Sequence, residues 1–165
     1  MSDPREPGEG NLRLHTASVD EAEAIAALIN EAFRVEAFFI DGDRIQPAKV
    51  REMMARGAFL VAEDGAGPPV GCVYVEAKGE SAYLGLLSVD PARQGGGLGR
   101  RLTAAAEDYC RAAGCTEIGI RVVNLRDVLP PFYRRLGYVE VGIEPFPADL
   151  PTKLPCHFLR MAKPL

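Results

Sequence analysis

Residues 89–102 read VDPARQGGGLGRRL, with four glycines in five positions between an apolar run and the start of a helical pattern. No other stretch limits the fold so tightly. Glycine costs conformational entropy, so such a run serves either a tight turn or the close approach of something large to the main chain. A helix N-terminus carries unpaired N–H groups and about half a positive charge, which makes glycines just ahead of it an opening for phosphate. Two phosphate loops can be tested against the spacing. The Walker pattern requires Gly-Lys-Ser/Thr at the helix start, but Gly99 is followed by Arg100 and Arg101. The dinucleotide fingerprint needs glycines at relative positions one, three and six; Gly95 and Gly97 would be completed by Arg100, and Gly97 and Gly99 by Leu102. Both fail. What remains is Gln94-x-x-Gly97-x-Gly99, after a strand ending LSVDP and running into RRLTAAAEDY.

The periodicity on either side sets the architecture. NLRLHTA alternates as a half-buried strand, and SVDEAEAIAALINEAF places Ala22, Ile25, Ala26, Ile29 and Phe33 on one helical face behind Ser18 and Glu21 at capping-box spacing. Residues 34–46 fit neither period; PAKVREMMARG then opens on a proline and stops at a glycine, as short helices do. AFLVAED and VGCVYVEA read as antiparallel strands, and SAYLGLLSV as a central strand covered on both faces. Leu98, Leu102, Ala105, Tyr109 and Ala113 recur at helical spacing after the glycines. TEIGIRVV, the short helix PPFYRRLG, YVEVGI and CHFLRMA complete the order β-α-α-β-β-β-α-β-α-β-β. That order predicts an α/β (α+β) fold in one domain: a mixed, mostly antiparallel sheet of six to seven strands flanked by about four helices.

With 165 residues the chain can bury a core without disulfides or metal. The net charge of −4, with no lysine or arginine run longer than two, lacks the footprint of a nucleic-acid binder. Cys72, Cys110, Cys115 and Cys156 form no CxxC pair, and His15 and His157 lie far apart, so no metal site is expected. MSDPREPGEG has no apolar core and reads as neither signal peptide nor membrane anchor. The expectation is a disordered tail over 1–10, a single domain over 11–165, and a cytoplasmic location.

Gln94-x-x-Gly97-x-Gly99 at this joint resembles the acetyl-CoA motif of the GNAT superfamily of N-acetyltransferases. FYRRLGYVEVG is similar to that family's Phe-Tyr-x-x-x-Gly-Phe segment, and Asn124 falls at the end of a strand where relatives often carry asparagine. The resemblance covers residues 84–142 and implies a sheet whose strands splay at the acetyl-CoA site. It implies acetyl-CoA as cosubstrate, with the pantetheine arm on the main chain of Leu87, Ser88 and Val89 and near Asn124. The pyrophosphate would sit on Gln94, Gly95, Gly96, Gly97, Leu98, Gly99 and Arg100, and Arg93, Arg100 or Arg101 would meet the adenosine phosphate. Gly85, inside the preceding strand, is compatible with a bulge or with close backbone approach.

The implied reaction is direct attack of a primary amine of a small molecule or peptide on the thioester. Tyr133 is the candidate proton donor to the thiolate, since its phenol has an ordinary pKa near 10. Helical spacing assigns Leu129, Phe132 and Leu136 to the core and turns Tyr133 toward the cleft. From Asn124 to Tyr133 the segment is two residues longer than the family's commonest form, and Pro130 and Pro131 replace the usual helical entry. No base is assigned: Tyr83 stands near the position where some relatives carry glutamate. Glu36, Phe39 and His157 are candidates for the acceptor pocket, with Phe38, Asp41 and Asp43 beside them. A non-catalytic acyl-CoA sensor is the alternative function. Homodimerisation, common in such folds, has no visible signature, and no nucleic acid or membrane partner is expected.

Overall fold

The structure, a computed structural model, describes residues 12–165; the expected tail over 1–10 lies outside the described residues. Among them the strands are β1 (Leu12–Thr16), β2 (Ala58–Asp64), β3 (Pro69–Lys78), β4 (Ser81–Val89), β5 (Glu117–Val123), β6 (Val139–Pro145) and β7 (His157–Pro164). The helices are α1 (Ala22–Ala32), α2 (Pro47–Met54), α3 (Leu98–Ala112) and α4 (Leu129–Arg135). The seven strands form one sheet in the order β1-β2-β3-β4-β5-β7-β6. Every neighbouring pair is antiparallel except β4 and β5, which run parallel because α3 carries the chain across between them. The expected mixed, mostly antiparallel sheet with four helices is what the chain forms.

Alternation along each strand sends two apolar sets to opposite faces. Leu60, Val73, Leu84, Ile118, Ile120 and Met161 meet Leu98, Leu102, Ala106 and Tyr133 from α3 and α4. Phe59, Val61, Cys72 and Tyr74 meet Ile25, Ile29 and Val50 from α1 and α2, with Tyr83 and Leu86 packed alongside. Burying each large aliphatic side chain stabilises by about 1.5–3 kcal/mol, which is what holds α3 against β3 and β4. The expected capping box of Ser18 and Glu21 forms, with Glu21 Oε2 accepting the Ser18 N–H at 2.7 Å. Tyr138, from the turn after α4, donates its hydroxyl to Glu107 on α3 at 3.0 Å, and Lys163 of β7 reaches the same carboxylate at 3.1 Å. That partly buried ion pair ties α3 to β7.

Two irregularities in β4 matter for function. It pairs with β5 only through Ser81 and Glu117, Ala82 and Ile118, and Tyr83 and Gly119; beyond these the strands share no further ladder, although β4 continues to Val89 and β5 to Val123. On its other edge Tyr74 faces Gly85 while Cys72 faces Ser88, so Leu86 and Leu87 together oppose Val73 in a β-bulge. Leu86 takes φ +53°, a conformation that costs a non-glycine residue on the order of 1 kcal/mol. The bulge turns β4 away from β5 and opens the split.

Candidate active site

The glycine joint closes one end of the split. Gly95 and Gly97 adopt φ +89° and +82°, which L side chains rarely reach, whereas Gly96 has no such requirement and a methyl group there would meet nothing nearer than 3.7 Å. Gly97 is the N-cap of α3 and supplies no side-chain cap. Arg101 N–H is already bonded to Gly97 O at 3.1 Å, so the N–H groups of Leu98, Gly99 and Arg100 point out of the helix uncapped. Residues 94–97 are exposed around them. The residues present therefore fit a pyrophosphate: main-chain donors, a helix dipole and no side chain in the way. Of the three arginines expected beside it, Arg93 is engaged by Asp64 on β2, while Arg100 and Arg101 are exposed and make no ion pair among the described residues.

Along the split the main chain, rather than side chains, faces inward. Ser88 is buried and its hydroxyl donates to Leu86 O at 2.9 Å, while Leu87 and Val89 pack toward α3. Beyond the three paired residues, the inner edge of β4 is left with groups that no β5 ladder takes up. Gly85 serves a different need from the one expected of it. A Cβ there would lie 2.8 Å from the ring and hydroxyl of Tyr83, so the glycine makes room for that phenol, and the bulge sits at Leu86 and Leu87.

Tyr133 departs from its expected place. Its side chain is only 6% exposed, in edge contact with Phe132 and Tyr138 at centroid distances of 5.0 and 5.6 Å, whereas Leu129, Phe132 and Leu136 are the half-buried residues of α4. The reversal follows from Pro130 at the start of a seven-residue helix: it turns into the core and takes the next turn, with Tyr133, in with it. Tyr133 Oη has no hydrogen-bond partner among the described residues, yet it is not sealed from solvent. Burial drives the phenol's pKa well above 10, the nearby Tyr83 phenol adds to this and Arg126 opposes it. Tyr83 is pushed up too, first by burial, with Arg121 and Arg44 acting against that.

The opposite side of the split is built from residues far apart in sequence. Glu36 is 5% exposed and is held by Arg126 Nη1 at 3.0 Å; burial raises its carboxyl pKa, with Arg126 and Arg44 opposing. It is a buried, paired carboxylate rather than part of a solvated loop. Arg44 lies 5.4 Å above the Phe33 ring, and Arg121 lies 5.5 Å above the ring of Tyr83. On the other flank of Tyr83, over the paired start of β4 rather than over the split, a cavity of about 290 Å³ is lined by Glu76, Lys78, Ser81, Ala82, Tyr83 and Arg121. The 33–46 segment is clasped to the β6–β7 loop by Lys153, whose N–H donates to Phe39 O at 2.7 Å and whose Nζ reaches Ala37 O at 3.0 Å and Asp41 at 2.9 Å. Arg126 escaped the sequence reading; the extra length between Asn124 and Tyr133 is its only trace there.

The other candidates fall as follows. Phe39 is fully buried and presents no surface to a ligand, while its neighbour Phe38 is half exposed. Asn124 clips the strand ends together: its N–H donates to His157 O at 3.0 Å and its Oδ1 accepts the His157 N–H at 2.8 Å, leaving the amide nitrogen without a partner among the described residues. His157 falls in register with Leu159 and Met161, on the α3–α4 face, so it does not join Tyr83 and Arg121. Asp43 is exposed. His15, Glu21 and Glu63 bring ligand-type atoms within 4.8 Å of one another, but at the β1 edge, three strands from the split. No helix among the described residues is long and apolar enough to cross a membrane.

The fold has counterparts among known proteins. The family profile described as an acetyltransferase (GNAT) domain matches residues 55–140, which contain β4, the glycine joint, α3, β5 and α4. A probable glucosamine 6-phosphate N-acetyltransferase of Oryza sativa subsp. japonica is 32% identical over 96 residues, 52% of this chain and 56% of its own. An IAA acetyltransferase of Azospirillum brasilense is 33% identical over 109 residues, 65% of this chain and 67% of its own. The chain thus spans little more than half the length of the rice relative. A solved structure from Salmonella typhimurium, which carries acetyl-CoA as its cofactor, overlaps with a TM-score of 0.74 at 18% identity, covering 94% of each chain.

Proposed function

The chain belongs to the GNAT acetyltransferase family, and from that premise we propose that it transfers an acetyl group from acetyl-CoA to a primary amine in a ternary complex. The observation that carries the reading is the β4–β5 split, where a ladder of three residue pairs opens beside an uncapped, glycine-lined helix N-terminus. The N–H groups of residues 94–100 hold the pyrophosphate, and Arg100 or Arg101 meets the adenosine phosphate. Main-chain groups of Leu87, Ser88 and Val89 and the amide nitrogen of Asn124 hold the pantetheine arm. Acetyl-CoA supplies an activated thioester, whose carbonyl a β4 N–H polarises as its oxygen gains charge.

The amine must be neutral to attack, and the proton of its ammonium form is first lost to water. The nitrogen lone pair forms the C–N bond, the C–S bond breaks, and the thiolate takes a proton from Tyr133 Oη; the proton that the nitrogen sheds on becoming an amide passes through water and restores the Tyr133 phenol. Burial keeps the Tyr133 phenol protonated before transfer but makes it a weaker acid, and the nearby Arg126, which acts against that rise, is what favours release of its proton. Release of free thiol from acetyl-CoA in the presence of a panel of primary amines tests the reading. Turnover that depends on the amine is the expected result. Silence with every amine, together with a clear rise in melting temperature on adding acetyl-CoA, would assign the chain to acyl-CoA sensing instead.

A further inference from the structure

The acceptor side carries more positive charge than its carboxylates neutralise, in a chain whose net charge is −4. Arg121 and Arg160 share Glu144, each with Nε 3.0 Å from it, and Arg126 is paired with Glu36. Arg44 has no carboxylate partner among the described residues and only the Phe33 ring beneath it. Arg44 and Arg121 therefore face Tyr83, and Arg44 and Arg126 face Glu36, with Glu144 divided between Arg121 and Arg160, while on the cavity rim Lys78 and Glu76 offset each other at 3.7 Å. Arg126 is held through Nη1 alone, so Nη2 and Nε keep donors that no described residue takes. A simple ammonium would enter this surplus against repulsion. An amine that also bears an anion would neutralise it.

We propose that the acceptor is a small molecule carrying, besides its primary amine, a compact anionic group, a carboxylate or phosphate monoester, bound by Arg44 and the unused donors of Arg126. A guanidinium fork matches both anions with paired N–H bonds. Glu36 positions Arg126 rather than meeting the acceptor. This rests on the acetyl-transfer reading of the split.

The test compares matched amines: glucosamine 6-phosphate against glucosamine, and an α-amino acid against its amide, each followed by thiol release and by calorimetric titration of the acetyl-CoA-loaded protein. The expected result is a kcat/KM about tenfold or more higher for the anionic member of at least one pair, acting through KM, since hydrogen bonds to charged groups carry that much discrimination. Which pair shows it separates phosphate from carboxylate. Arg44→Ala, at an exposed position that should melt within a few degrees of the parent, should reduce the preference to threefold or less. Equal or better use of the neutral members, or a preference untouched in Arg44→Ala, overturns the proposal. If no amine yields thiol, the transfer reading fails separately. The titration then still decides: an anionic compound that binds, and binds more weakly to Arg44→Ala, keeps the anion site, and absence of binding by both removes it.

Discussion

The two sides of the β4–β5 split are made by different means. On the glycine side the groups proposed to bind are main-chain N–H donors from Leu87 to Arg100, contiguous in sequence and fixed by backbone conformation, with Gly95 and Gly97 at positive φ. On the acceptor side they are side chains brought together over long distances, as in the Arg126 to Glu36 pair, which spans 90 positions. The difference teaches where specificity can vary. A main-chain cradle recognises what every acetyl-CoA presents, whereas exchangeable side chains on the other side can select the acceptor without disturbing the cradle.

Substitutions can break or sharpen that contrast. The largest effect is expected from Gly97→Val, which should weaken acetyl-CoA binding by about 10²-fold or more while costing the fold only about 1–2 kcal/mol for a side chain at φ +82°. Calorimetry and thermal melting together check it; normal affinity would remove the cradle from the account. Tyr133→Phe should lower turnover by about 10²-fold with acetyl-CoA affinity unchanged, because it removes the proposed proton donor and leaves the packed ring. Steady-state kinetics at saturating amine decides this, and unchanged turnover takes Tyr133 out of the mechanism.

Glu36→Gln acts on the other side alone: the acceptor KM should rise by about tenfold as Arg126 loses its charged partner, and the acetyl-CoA affinity should stay put. A fall in acetyl-CoA affinity instead would mean the two sides are not separable. A smaller, graded effect is expected with pH. Burial pushes Tyr74 up to about 12, and raises Tyr133 and Tyr138 as well. Unfolded phenols ionise near pH 10, so above that the unfolded chain binds fewer protons than the folded one. Folding stability should then fall with pH, by about 1.4 kcal/mol per unit for each phenol kept neutral. Denaturant melts between pH 9 and 11 would read this, and a flat stability would contradict it. The smallest effect belongs to Gly96→Ala, which should change stability by less than about 0.5 kcal/mol and leave affinity nearly intact, since Gly96 has neither positive φ nor a close neighbour.

Legibility in the sequence follows the same division. Strand and helix order came through because period and turn residues are local, and the Gln94-x-x-Gly97-x-Gly99 spacing marked the cradle for the same reason. Spacing on α4 put Tyr133 on a face but could not say which face meets the sheet; Pro130, buried in the first turn, decided that. Gly85 looked like a backbone device, yet what it accommodates is Tyr83, a neighbour two residues away whose rotamer no pattern reveals. Glu36 lay in a segment with no period, where a carboxylate reads as solvated. Only the Lys153 clasp and Arg126, both remote in sequence, make it a buried residue.

A crystal structure of the protein soaked or grown with acetyl-CoA would show directly whether the β4–β5 split holds the cosubstrate. Pyrophosphate oxygens should lie within hydrogen-bond distance of the N–H groups of Leu98, Gly99 and Arg100, with the pantetheine arm between β4 and β5 and the sulfur facing Tyr133 Oη. Acetyl-CoA bound outside the split, or with its sulfur turned away from Tyr133, would contradict it.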